Sequence, residues 1–370
     1  MAFTKEQNMA IDTEGQNIIV SAGAGSGKTA VLTARVIRKL SSGIDIDHLL
    51  VLTFTNEAAK EMKSRIRDAI IENNLTNQLD LLESSYITTF DSFALSLVKK
   101  YHYTLNISKN IKIIDKDIIT IYKYKMLDII FEEKYCNKEF DNLINSFCLK
   151  DDKNIKNFII NLSDKRDLMI DKYTYLNNYL KSYYTKKHLD ELYDNYLNLI
   201  KNKIIALQQV YDELTNYIND DWIIKFDTYL KPLFKGTTYE EYELFKNVPT
   251  IRFPKIPEET TTIKENMKEI IEEIKQLLRF KNKDEIIKSI SSTKEYINVI
   301  IEIINELDSK IIAYKNKHEA YEFNDISHMA IKIVKDNLDI QEELKTYFNE
   351  IMIDEYQDTS NIQEEFIKCK

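Results

Sequence analysis

The chain has 370 residues, of which only 6 are Gly and 4 are Pro, with 44% apolar and 30% charged residues. Average usage would give roughly 26 Gly and 18 Pro at this length, so collagen-like and Gly/Pro-rich disordered classes are excluded, as is an all-β sandwich or barrel needing a turn residue about every ten positions. Lys plus Arg is 51 and Asp plus Glu is 60, a net charge of −9, so the bulk charge announces no nucleic acid and any such site must be local.

Thr4 to about Asp12 reads as a short helix opened by the capping box Thr4-Lys5-Glu6-Gln7. Gln16 to Ser21 is an apolar run stopped by a glycine cluster, a buried-strand candidate. Lys28 to Leu40 carries Val31, Leu32, Ala34, Arg35 with Val36, and Leu40 at helical spacing. Leu49 to Phe54 reads as a second buried strand, followed by a helix from Asn56, as cap, to Ile71. Tyr86 to Thr88 is a third short strand and Ser92 to Tyr103 another helix. Strands alternating with helices over short links imply a parallel α/β sheet.

After Lys109 the pattern turns helical, running from Asp115 to about Phe226 without Gly or Pro. The stretch from Lys231 to Pro257 holds all four prolines and reads as a loop. Amphipathic helix returns from Ile263 to about Phe323, and Phe348 to Ile353 is again a strand candidate. The cysteines Cys136, Cys148 and Cys369 form no C-x-x-C pair, so no disulfide framework or zinc site is expected. No signal peptide and no apolar run of about 18 residues is read, which suits a cytoplasmic protein without a membrane span. The tyrosines between Tyr173 and Tyr196 read as helix surface and core in preference to a stacking platform.

Two segments carry chemistry. Ala22-Gly23-Ala24-Gly25-Ser26-Gly27-Lys28-Thr29 lies between a strand candidate and a helix, the setting of a phosphate loop. Such a loop turns its backbone N–H groups onto phosphate oxygens, and glycine permits the dihedrals. The helix N-terminus adds partial positive charge, Lys28 can reach the β and γ phosphates, and the Thr29 hydroxyl can ligate Mg²⁺. The pattern's first glycine is Ala22 here. The second segment, Ile353-Asp354-Glu355-Tyr356-Gln357-Asp358, puts two carboxylates at a strand end, where parallel sheets face their ligands. Asp354 is expected to hold Mg²⁺ and Glu355 to act as general base on the attacking water.

These motifs, with Phe3-Thr4-x-x-Gln7, Leu52-Thr53-Phe54-Thr55-Asn56-x-Ala58-Ala59-x-Glu61-Met62-x-x-Arg65-Ile66 and Thr89-Phe90-Asp91-Ser92-Phe93, resemble the N-terminal part of UvrD-like superfamily 1 DNA helicases. Ile46 to Asn56, Glu322-Phe323-Asn324-Asp325-Ile326 and the long separation of Lys28 from Asp354 make the chain most similar to the AddA group of helicase–nucleases. The resemblance implies a P-loop NTPase fold: a RecA-like parallel sheet in residues 1–110 and 321–370, interrupted by an all-helical insertion at 111–320 with a loop at about 231–262. It implies ATP and Mg²⁺ as cofactors, single- and double-stranded DNA as partners, and a second helicase/nuclease chain of the AddB type. The implied activity is 3′ to 5′ unwinding in double-strand break repair and recombination.

By the same resemblance, Gln7 reads the adenine edge, though the capping box explains it too. Phe54, Thr55 and Asn56 meet single-stranded DNA, Phe54 by stacking unless it is a core aromatic. Thr89, Ser92 and Phe93 touch the DNA backbone or bases, while Asp91 stands where the family has His and would repel phosphate. Further family motifs, including arginines that reach the γ-phosphate, are not in these 370 residues. The chain is therefore expected to be an N-terminal part with weak hydrolysis alone. Alternatives are a UvrD-like helicase without a nuclease partner and a non-catalytic nucleotide-dependent interaction module.

Overall fold

The structure is a computed structural model that describes residues 3–23, 25–148, 151–249, 251–254 and 261–368. In chain order come α1 (Lys5–Asp12), α2 (Lys28–Ser41), β1 (Leu49–Thr53), α3 (Asn56–Glu72), α4 (Leu79–Ser84), β2 (Tyr86–Thr89) and α5 (Phe90–Lys100). Next are β3 (Lys112–Ile113), α6 (Lys116–Lys134), α7 (Lys138–Phe147), α8 (Lys153–Asp167), α9 (Lys172–Tyr183), α10 (Lys186–Leu214), α11 (Asp220–Lys235) and α12 (Tyr239–Glu243). Then follow α13 (Thr261–Leu277), α14 (Lys283–His318), β4 (Ala320–Tyr321), α15 (Phe323–Asp336), α16 (Leu338–Tyr347), β5 (Glu350–Ile353) and α17 (Asn361–Lys368). Within the described residues the chain divides into two units: Met1–Glu133 with Lys153–Lys172 and Ile304–Lys370, and Lys134–Asp152 with Tyr173–Ile303.

The first unit is built on a parallel sheet in the order β2-β1-β5. Leu50 pairs with Tyr86 and Thr53 with Thr89 on one side of β1, and Leu49 with Glu350 and Leu52 with Ile353 on the other. Every residue of β1 is buried, which explains why Leu49 to Thr53 is apolar without alternation: both sheet faces are covered. Leu49 and Val51 pack with Val36 and Leu40 of α2 and Met62, Ile66 and Ile70 of α3. Leu50 and Leu52 turn to the other face, against Phe90, Phe93 and Leu97 of α5 and Ile326, Ala330 and Ile333 of α15. Helices on both faces of a parallel sheet make this an α/β unit.

Several expectations need correction. Gln16–Ser21 forms no strand, and Ile18, Ile19 and Val20 are 37%, 83% and 48% exposed. An apolar run becomes a strand only when a neighbour supplies the hydrogen-bond ladder, and no described strand pairs with it. Helix α3 is capped by the Thr55 hydroxyl, which accepts from Ala58 N, and Asn56 is its first residue, not its cap. The loop expected over Lys231–Pro257 is partly helical, since α11 carries Pro232 inside it and α12 follows. Buried Leu230 and Leu233 hold α11 together past the ring that breaks one backbone hydrogen bond. Pro257 and Cys369 lie outside the described residues. The two-residue strands β3 and β4, paired in parallel, were not expected.

The second unit contains only helices and loops among its described residues. Its core gathers Ile200, Ile204 and Leu207 of α10, Phe226 and Leu230 of α11, Tyr239 and Tyr242 of α12, and Met267, Ile271 and Ile274 of α13.

Candidate functional site

Gly25 and Gly27 adopt φ of +75° and +83°, the left-handed region that side-chain-bearing residues avoid. Gly27 is the residue before α2, so the loop passes straight into a helix N-terminus. Gln7 has two jobs here. Its Oε1 accepts from Thr4 N at 2.8 Å, completing the cap of α1, and its Nε2 donates to Ser26 O at 2.9 Å. A Cβ on Gly27 would stand 3.4 Å from that same Nε2. Ala22, Gly23, Gly25 and Ser26 are exposed, Lys28 and Thr29 are half-buried in the first turn of α2, and Ala24 lies outside the described residues.

Strand β5 ends beside this loop. Asp354 N donates to Leu52 O at 2.9 Å, extending the ladder one residue past Ile353. Burial pushes the Asp354 carboxyl up from its usual range, the neighbouring Glu355 adds to the rise, and Lys28 opposes it. Glu355 has φ of +53°, a conformation that costs a non-glycine residue about 1–3 kcal/mol and clusters at functional sites. Its carboxylate accepts from the Gln357 amide and lies 3.9 Å from Lys28 Nζ. Lys28 Nζ also donates to Ala22 O at 3.3 Å. The chain's own oxygens thus hold the ammonium at the loop's mouth.

The register fixes a third group of residues. Because Thr53 pairs with Thr89 and Leu52 with Ile353, the segments after β1, β2 and β5 leave the sheet at the same end, where parallel sheets bind ligands. Phe54 is 56% exposed there, so it is no core aromatic. Thr55 caps α3, and Asn56 is exposed beside it. Thr89 caps α5, accepting from Ser92 N, and donates to Ser92 Oγ at 2.9 Å. Phe93 is buried, 4% exposed, with its ring edge-on to Tyr86 and Phe348. Burial pushes the Asp91 carboxyl upward.

The sequence reading placed Arg35 in the helical spacing of Lys28 to Leu40 and gave it no role. Its guanidinium donates to Ala10 O at 2.7 Å, Ile11 O at 3.2 Å and Thr13 O at 2.8 Å, and pairs with Glu350 of β5. Lys39 Nζ lies 3.1 Å from the same carboxylate. Arg35 therefore ties the C-terminal end of α1, the helix that carries Gln7, to the sheet. A charge on the apolar stripe of a helix was the available signal.

Among the described residues no group of three or more His, Cys, Asp or Glu gathers as a metal site, and no helix is long and apolar enough to cross a membrane. One carboxylate, Asp354, and one hydroxyl, Thr29, suit Mg²⁺, which takes few protein ligands and completes its shell with water and phosphate oxygens.

Residues 3–369 match the UvrD/REP helicase N-terminal domain. Proteins named as the A subunit of an ATP-dependent helicase/nuclease are similar to this chain along nearly its whole length. That of Clostridium beijerinckii is 31% identical over 99% of this chain and 33% of its own. That of Clostridium botulinum strain Loch Maree is 31% identical over 98% of this chain and 32% of its own, and that of strain Alaska E43 is 30% identical over 99% and 33%. The chain spans about a third of the length of these curated relatives.

Proposed function

Because the chain belongs to the UvrD/REP helicase N-terminal domain family, we propose that it binds ATP with Mg²⁺ and single-stranded DNA as a motor part of a DNA helicase of the AddA kind. The observation that carries this reading is the arrival of Lys28 within 3.9 Å of Glu355 at the sheet end where Phe54 stands exposed. In this reading residues 1–110 and 321–370 form the RecA-like motor, and residues 111–320 are its helical insertion. Polarity of 3′ to 5′, a role in double-strand break repair and recombination, and a second chain of the AddB type are part of the proposal. They rest on the motif resemblance to AddA-type helicases, while the relatives' names give only the A subunit of an ATP-dependent helicase/nuclease.

Each residue has a role in it. The backbone N–H groups of Gly23 to Thr29 cradle phosphate oxygens, and Lys28 exchanges Ala22 O and Glu355 for them. Gln7, positioned by Thr4, meets the adenine edge. Asp354 and the Thr29 hydroxyl would hold Mg²⁺, which would supply neutralisation of the charge on the phosphoryl oxygens. Glu355 accepts the proton of the attacking water, and Gln357 orients its carboxylate. Phe54 offers a ring face to an unpaired base, Thr55, Asn56, Thr89 and Ser92 serve the sugar–phosphate chain, and Phe93 supports them from the core. Calorimetry with a non-hydrolysable ATP analogue and Mg²⁺ tests the reading. Micromolar binding by the parent chain is expected, and no binding by the parent would refute the nucleotide site.

A further inference from the structure

Helix α9 has no buried residue. Tyr175, Tyr179 and Tyr183 recur at i, i+4 and i+8 and share one face of it. Tyr179 and Tyr183 stack with centroids 4.4 Å apart and planes 25° apart, and Tyr175 stands edge-on to Tyr179 at 5.8 Å. His188, in the first turn of α10, is edge-on to Tyr183 at 4.8 Å. An aromatic stripe of this kind ordinarily packs into a core; here no tyrosine of the stripe is fully buried, Tyr175 being 38% exposed and Tyr179 and Tyr183 half-buried.

The charge around it is one-sided. From Tyr173 to His188 the chain carries Lys181, Lys186 and Lys187 and not one Asp or Glu, although the whole chain is −9. All three lysines are exposed, and Lys294 Nζ lies 5.9 Å from the Tyr184 ring. The nearest following acids are engaged: Asp190 pairs with Lys283 at 2.7 Å, and Glu191 with His188 at 3.2 Å and Lys187 at 3.9 Å. Burial, and then the Tyr183 hydroxyl, push Tyr175 up to about 12, so its ring stays neutral beside an anion.

We propose that the Tyr175, Tyr179 and Tyr183 face, flanked by Lys181, Lys186 and Lys187, is a binding strip for single-stranded nucleic acid, additional to the Phe54 site. It rests on the reading that the chain works on DNA. Solvent-exposed ring surface, that of Tyr175 and what the half-buried Tyr179 and Tyr183 leave uncovered, receives unstacked bases of any identity, and lysines neutralise the phosphates between them. A duplex keeps its bases stacked and offers no free face to a ring. An acidic polypeptide would satisfy the lysines but not the rings.

Anisotropy of a long labelled oligothymidylate, read against salt, tests this. The substitutions Tyr175→Ala with Tyr179→Ala are expected to weaken binding about tenfold or more, while Tyr175→Phe with Tyr179→Phe retains it, because the ring faces remain. Lys186→Ala with Lys187→Ala is expected to flatten the salt dependence by about 0.7 in the log–log slope for each phosphate that is no longer neutralised. Trp222, in the same unit, reports by its fluorescence that the variants fold. Phe54→Ala is measured alongside. Unchanged affinity of the tyrosine-to-alanine variant, with Phe54→Ala impaired, overturns the strip and leaves the DNA reading standing. A parent chain that binds no oligonucleotide overturns both. An equal loss of duplex binding in the tyrosine variant, or a loss confined to polyglutamate, overturns the choice of ligand.

Discussion

Arg35→Ala probes how the Gln7 helix is fixed to the proposed nucleotide site. The substitution removes the donors to the Ala10, Ile11 and Thr13 carbonyls and one partner of Glu350. Hydrogen bonds from a charged donor contribute about 1.5–3 kcal/mol each, and removing one partner of a buried ion pair costs about 3–5 kcal/mol. Neither figure applies in full. Lys39 stays 3.1 Å from Glu350, the Arg35 side chain is already 12% exposed, and water can enter the hole to meet the carbonyls. The expected loss is about 2–3 kcal/mol, a fall of roughly 5–10 °C in the unfolding midpoint of the first unit. The single Trp, Trp222, belongs to the second unit, so its fluorescence reports on that unit while calorimetry reports on the whole chain. Nucleotide affinity should fall with it, because the contact of Gln7 with Ser26 loses its support. A loss below about 1 kcal/mol, or an equal shift of the Trp222 transition, would refute the clamp.

Lys28→Ala should abolish binding of the ATP analogue by calorimetry while leaving the unfolding midpoint within about 2 °C, since its contacts are exposed. Phe54→Ala, at a side chain 56% exposed, should change stability by no more than about 0.5 kcal/mol yet weaken oligothymidylate binding by about 1–3 kcal/mol in an anisotropy titration. Asp354→Asn should remove the Mg²⁺ dependence of nucleotide binding. Burial holds the folded Asp354 above its usual 3.8, so the ionised form costs stability at every pH above that raised value and the cost disappears as the pH falls below it. The Asn variant should therefore be the more stable at neutral pH, and urea melts should bring it level with the parent on acidification.

What could be read from the sequence followed from how local each feature is. The Gly23 to Thr29 loop and the Asp354-Glu355 strand end are written in contiguous residues, since the backbone dihedrals and the strand end that they need are local properties. The burial of Leu49 to Thr53 was legible because both faces of a central strand require apolar side chains. Gln16 to Ser21 misled because its pattern says nothing about whether a neighbouring strand is there to pair with it. Arg35 and Glu350 are 315 positions apart, and the short β3 and β4 ladder joins Lys112 to Ala320, also far apart in the chain. The Tyr175 stripe has helical spacing that fits a core as well as a surface, and only the packing decides which.

The pairing of Leu49 with Glu350 also bears on how the chain folds. The β1–β2 contact closes a short loop, whereas β1–β5 joins the ends of a stretch roughly eight times longer, a closure about 2 kcal/mol more costly in chain entropy. The sheet edge that carries Asp354 and Glu355 is therefore expected to form late. Once formed, the ladder of Lys112 with Ala320 shortens the closure that remains for β5 to the two flanks outside it. A polypeptide emerging from the ribosome would hold its Gly23–Thr29 segment long before it gains Asp354 and Glu355.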